Sequence, residues 1–276
     1  MSVLGAAPVS AGARTRDQLA AWRIAIYGIL VVLAAAAWLV TGLRMSGMSS
    51  APGAALGTFA FFIVTWVVMM AAMMFPTVAP MVAMYVSVQR GRRRKAMPAP
   101  VGATALFVAG YLLIWSLAGV LAYAIVGLVG RLDLADLSWD RGGHWLAAGV
   151  LFVAAAYEAT PWKQACLTRC RGPLSFILTS WRNGRLGALR MGVVHGAWCL
   201  GCCWGLMAAL FALGVMSLAW MALVAALIAV EKLLPWRRTG VALAACLLLG
   251  LAVAVALAPD HVPGLSAPSP MMMTAR

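Results

Sequence analysis

The sequence predicts an all-α fold, a polytopic bundle of about seven transmembrane helices, and three observations carry that expectation. Hydrophobic residues make up 64% of the chain and charged residues only 10%, with a mean hydropathy of +0.95. A soluble domain of this length needs far more charged surface. Apolar runs near spanning length recur along the chain, where a crossing helix takes about 20 residues. The basic residues also alternate between loops in the manner of a membrane topology signal.

The runs lie at 24–43, 57–75, 101–129, 144–160, 190–214, 216–234 and 239–258. The first follows some 23 residues that include Arg14, Arg16 and Arg23, and no small-residue cleavage motif closes it convincingly. It reads as a signal-anchor, with residues 1–22 as a mobile cytoplasmic tail. The second continues through Pro76 and Pro80 to about Val88, so a kink or break is expected there. The third is long, and the fourth is short and ends at Pro161. Residues 161–189 mix Trp181, Leu186 and Leu189 with arginines, the pattern of an interfacial amphipathic piece. Three runs complete the domain at 258, and the Pro-rich residues 259–276 read as a disordered outer tail.

With the N-terminus inside, 17 of the 21 lysines and arginines fall on the cytoplasmic side, leaving Arg44, Arg131, Arg141 and Arg276 outside. Seven crossings then put the C-terminus outside. The net charge of +14 is therefore a topology signal with attraction to anionic lipid, not a nucleic-acid footprint. This pattern predicts a cytoplasmic, inner-membrane location. The outer loop 131–143 carries Asp133, Asp136 and Asp140 beside His144 and reads as a solvated loop.

Chemistry concentrates in the helix near 190–214. His195, Cys199, Cys202 and Cys203 are offset by four, seven and eight residues, which puts all four on one helical face. Ionisable groups within hydrocarbon mark function by default. His195 to Cys203 spans about 12 Å along the axis, too far for one ion, so adjacent pairs and ligands from other helices are needed. Met69, Met70, Met73, Met74, Met81 and Met84 form a second set within one arc of the second run, as soft ligands or as packing. Glu158 and Glu231 lie at inner helix ends, at the depth of His195 and the Met70–Met74 group, where they balance charge, accept ligand protons or pair with Lys163 or Lys232. Cys166 and Cys170 follow one helical turn apart as a metal clip or thiol relay, with Arg169 and Arg171 expected to lower their pKa values. Cys246 stands alone and reads as core.

These strings resemble a bacterial family of predicted metal-binding integral membrane proteins, a domain of unknown function. The likeness covers about residues 56–236. It rests on Met69-Met70-Ala-Ala-Met73-Met74-Phe-Pro76, on Tyr157-Glu158-Ala-Thr-Pro161-Trp-Lys163 with Cys166 and Cys170-Arg171-Gly-Pro173, on His195-Gly-Ala-Trp-Cys199-Leu-Gly-Cys202-Cys203-Trp204, and on Glu231-Lys232-Leu-Leu-Pro235. The resemblance implies a polytopic helical fold and metal binding.

The residues themselves favour a soft transition metal, Cu(I) first and zinc second. The metal groups are His195, Cys199, Cys202, Cys203, Met70, Met73, Met74, Glu158, Glu231, Cys166 and Cys170, serving transport or delivery with a metallochaperone or a membrane complex as partner. No catalytic reaction is indicated. The alternatives are a membrane thiol–disulfide oxidoreductase coupled to a quinone, and an assembly scaffold of a membrane complex.

Overall fold

In the computed structural model, residues 9–45, 58–131, 142–214, 217–259 and 262 are described. Among them the fold is all-helical, in the order α1 (Val9–Met45), α2 (Phe59–Arg94), α3 (Ala103–Arg131), α4 (His144–Glu158), α5 (Pro161–Arg171), α6 (Pro173–Ser180), α7 (Gly184–Ala212), α8 (Leu218–Leu233) and α9 (Arg237–Leu257). Each predicted apolar run becomes one helix. The stretch 161–189 supplies α5 and α6, and also the first turns of α7.

Five helices, α1, α2, α3, α7 and α9, are long and apolar enough to cross a membrane. The expected count of seven is not supported. With 15 and 16 residues, α4 and α8 extend only about 22 and 24 Å, short of the roughly 30 Å hydrocarbon core. The orientation of the termini is likewise an inference from loop charge alone. Residues 9–22 are helical and continue into the rest of α1. The break expected in α2 does not occur: it runs without interruption through Pro76 and Pro80, where the Thr77 hydroxyl donates to the Met74 carbonyl at 2.9 Å. Asp133, Asp136 and Asp140 and most of the C-terminal tail lie outside the described residues.

Helix α7 is the hub, packed against α3, α4, α5 and α8, while α2 packs against α1, α3, α6 and α8. In hydrocarbon no hydrophobic force separates helix from lipid, so close backbone approach decides which helices meet. Gly192 supplies it: a Cβ there would lie 2.0 Å from the Phe107 carbonyl oxygen, and one on Gly110 would lie 2.3 Å from that of Leu189. Only glycine fits this α3–α7 contact, and it sets the height at which α3 faces the thiols of α7. Between α2 and α3, the Trp66 indole donates to the Trp115 carbonyl at 2.8 Å.

The α4–α5 corner follows from Glu158-Ala-Thr160-Pro161. The Thr160 hydroxyl accepts from the Lys163 backbone N–H at 3.2 Å as an N-cap, with Pro161 at the first helical position. This turn brings Glu158 and Lys163, five residues apart, face to face. Helix α8 stops just before Pro235, leaving Glu231 and Lys232 on its last turn, turned inward and buried.

Candidate metal centre

On α7, His195, Cys199, Cys202 and Cys203 are all buried, as their shared face requires. Cys199 is the focus. The Lys232 ammonium donates to its sulfur at 2.9 Å, and the Tyr111 hydroxyl lies 3.0 Å from the same atom. Cys202 and Cys203 donate to the Cys199 carbonyl at 3.1 and 2.9 Å, so three thiols crowd about one turn of helix. Three helices, α3, α7 and α8, therefore meet on a single thiol.

From α5, Cys170 reaches the Cys199 and Cys202 sulfurs. Cys166 packs on the α7 backbone, where a Cβ on Gly201 would fall 2.9 Å from its sulfur. The expectation that Arg169 and Arg171 lower these thiol pKa values is overturned. Burial pushes the Cys166 thiol up, helped by Cys202, and Arg169 offsets this only in part. Hydrogen bonds to Cys199 and Cys202, with burial, hold Cys170 well above the ordinary thiol range. Arg171 is directed elsewhere: it donates to the Glu231 carbonyl at 2.7 Å and to that of Leu234, clamping α5 to the end of α8.

His195 lies one turn from Cys199, in a box of rings formed by Phe107, Tyr111 and Phe176 at centroid distances of 6.0, 6.1 and 5.2 Å. Its Nδ1 is buried without a hydrogen-bond partner. A buried imidazole nitrogen left unsatisfied is costly, and it is a donor atom available to a soft cation.

Glu158 and Glu231 converge, but on Lys163. The Lys163 ammonium lies 2.7 and 2.6 Å from the two Glu158 carboxylate oxygens and 2.8 Å from Glu231 Oε2. Burial works against the Lys163 charge, yet Glu231 and Glu158 outweigh it and raise its pKa above the ordinary lysine value. Of the sequence readings for these carboxylates, the geometry matches pairing with Lys163. Met69, Met70, Met73, Met74 and Met81 are buried in the same core as the thiols. Cys246, expected in the core, is exposed on α9. The inward face of α9 carries Val241, Ala244, Leu248, Ala252 and Val255, and Cys246 projects from another face.

Sequence reasoning missed Tyr111, which no motif marks, and saw Lys232 only as a partner for Glu231. Among the described residues, no group of three or more His, Cys, Asp or Glu side chains stands ready to hold one ion. All six cysteines are free thiols. An apolar crevice of about 760 Å³ between Trp66, Trp115, Leu121, Trp204 and Phe211 is lined by no thiol or imidazole.

Residues 63–255 match the model of the PpoB2 family, described as copper chaperones. That stretch contains the thiol cluster, the carboxylate pair and the methionine set. No curated protein and no solved structure matches the chain.

Proposed function

The chain belongs to the copper chaperone family, and from that premise we propose that it is an inner-membrane protein that holds Cu(I) as cargo and hands it on. The observation that carries this reading is the position of Cys199, a buried thiol ringed by Cys170, Cys202, Lys232 and Tyr111. Thiolate and thioether select Cu(I) over hard cations. Cys199 is the principal ligand, paired with one neighbour at a time among Cys202, Cys203 and His195, and Met70, Met73 and Met74 are soft groups in the same core. Lys232 offsets the negative charge of a thiolate while the site is empty. Glu158 and Glu231 balance charge through Lys163 and keep α4, α5 and α8 in register around the centre.

In this reading the N-terminus is cytoplasmic, and α4 and α8 complete seven crossings as short apolar helices. The basic cytoplasmic face attracts anionic lipid, and copper passes between this protein and a metallochaperone or a membrane complex. The placing of 17 of the 21 lysines and arginines on one side supports that orientation.

The test is metal content. Protein purified in detergent under reducing conditions is expected to retain near-stoichiometric copper, and a Cys199→Ala, His195→Ala variant is expected to lose it. Zinc in place of copper would change the cargo. An empty wild-type protein would end the proposal. Quinone-dependent thiol oxidation would then point to an oxidoreductase, and its absence to a scaffold.

A further inference from the structure

Five thiols lie where α5 packs on α7. Cys166 and Cys170 are partly exposed, whereas Cys199, Cys202 and Cys203 are buried. Cys166 rests against the bare backbone at Gly201, and Cys170, one turn further along α5, reaches Cys199 and Cys202. No side chain at position 201 stands between α5 and α7. A methyl group there would lie 2.9 Å from the Cys166 sulfur, so glycine lets that sulfur approach the α7 backbone.

The sequence that contains α5 is rich in basic residues. Between residues 161 and 190 the chain carries Lys163, Arg169, Arg171, Arg182, Arg185 and Arg190 and no acidic residue. Arg169 is exposed beside the thiols, with its guanidinium 4.2 Å over the Trp198 ring. The nearest carboxylates, Glu158 and Glu231, are buried and taken up by Lys163. A cation approaching alone is repelled by such a face. A Cu(I) ion already held by two thiolates carries a net negative charge and is drawn to it.

Building on the proposed copper role, we infer that Cys166 and Cys170 form a loading relay that takes Cu(I) from an anionic Cu(I)–thiolate carrier at the α5 face and passes it to Cys199 and Cys202. The step is ligand exchange. A Cu–S bond forms to Cys166 as its proton leaves to solvent, and one Cu–S bond to the carrier breaks, releasing a carrier thiolate. The same exchange then moves the ion to Cys170 and on to Cys199. Copper remains Cu(I) throughout, so no oxidant or reductant takes part. The relay groups govern the rate of loading, while the buried groups govern the final copper content.

The experiment follows copper uptake by the full-length protein in detergent from a Cu(I)–glutathione complex, with a Cu(I)-loaded Cys-x-x-Cys peptide as a second carrier. A Cys166→Ser, Cys170→Ser variant that melts like wild type is expected to load about tenfold more slowly or worse, since exchange depends on an accessible thiol. It should still reach the wild-type copper content. Cys246→Ser, which removes an exposed thiol on another helix, should load normally, and added salt should slow wild-type loading. The faster of the two carriers identifies the source as a small thiol or a protein. Wild-type loading rates in the double variant would overturn the relay, as would a lower final copper content, which would place the pair in the resting site. A second measurement needs no variant. During substoichiometric loading of the wild type, protection of Cys166 from alkylation should precede that of Cys199. Protection of Cys199 while Cys166 stays reactive would sink the inference. Failure of the wild type to hold copper at all would instead refute the copper role itself.

Discussion

Glu231 and Lys232 are neighbours on the last turn of α8, yet they serve two different clusters. Glu231 joins Glu158 around Lys163, where one ammonium contacts three carboxylate oxygens within 2.8 Å. Lys232 turns to Cys199 and ends on a single sulfur at 2.9 Å. The first cluster is a buried triad in which two carboxyl groups share one ammonium. The second is a cation on a polarisable thiol that has further thiols at hand and, one turn away, an imidazole whose Nδ1 has no hydrogen-bond partner. Under the proposed function, the first cluster holds the bundle together and the second exchanges partners with a cargo ion.

The sharpest way to break the comparison is at Lys163. Lys163→Met leaves two buried carboxylates without their cation, and removing one partner from a buried ion pair costs about 3–5 kcal/mol. The expected outcome is a large drop in thermal stability, read by a melting assay in detergent. Replacing Glu158 and Glu231 by leucine in the same variant should recover most of it, because apolar substitutes for a whole buried ion cluster are often neutral or stabilising. If the triple variant regains stability and still retains copper, the triad is structural. If it regains stability but loses copper, the triad belongs to the site.

A smaller effect is expected at Gly192. Its missing Cβ would sit 2.0 Å from the Phe107 carbonyl oxygen, so Gly192→Leu forces α3 and α7 apart, at an overpacking cost of about 1–3 kcal/mol. Tyr111 rides on α3, and its 3.0 Å contact to Cys199 should lengthen. The ion triad joins α4, α5 and α8 and should survive. Lower copper affinity with an intact α4–α5–α8 corner, read by metal titration and by cysteine cross-linking across that corner, would confirm that the two clusters fail independently.

Much of this was legible in the chain. Hydropathy gives every long helix because an apolar run of spanning length has few alternatives in water or lipid. The common face of His195, Cys199, Cys202 and Cys203 follows from helical spacing alone. Lys163 was visible as a partner for Glu231, because buried carboxylates require a cation. The rest depends on rotation and height between helices, which one-dimensional spacing does not encode. Tyr111 meets Cys199 only because glycines let α3 and α7 touch, and a lone tyrosine in an apolar helix has no distinguishing neighbours. Cys246 was misjudged for the same reason, since nothing in its local sequence tells which face of α9 points inward. The arginines of α5 promised activated thiols, but Arg171 bonds to backbone carbonyls of α8, and burial governs Cys166 instead.

Lys232 offers a test confined to the second cluster. In Lys232→Met the apolar stem is kept and the charge removed, so loss of packing is small. An outer partner of a metal ligand is commonly worth roughly 10- to 100-fold in affinity. A weakening of that size in a competition titration with a Cu(I) chelator is expected, with Tyr111→Phe producing a lesser one. Unchanged affinity in both would mean that Cys199 binds without help from α3 and α8.

The smallest stability effect, and the finest distinction, concerns α2. Met70, Met73 and Met74 are among its most deeply buried residues, each 0–1% exposed, and burial alone suits a core methionine as well as a ligand. Leucine fills nearly the same volume, so Met→Leu at such positions usually costs under about 1.5 kcal/mol. Melting temperatures of the three single variants should therefore differ little from wild type. Copper affinity divides the two roles, because leucine has no sulfur to offer Cu(I). A fall in affinity at one or two of the three positions, with stability kept, would assign those thioethers to the cargo and extend the centre from α7 to α2. Equal affinity in all three would leave the methionines as packing and confine the cargo to the thiols and imidazole gathered around Cys199.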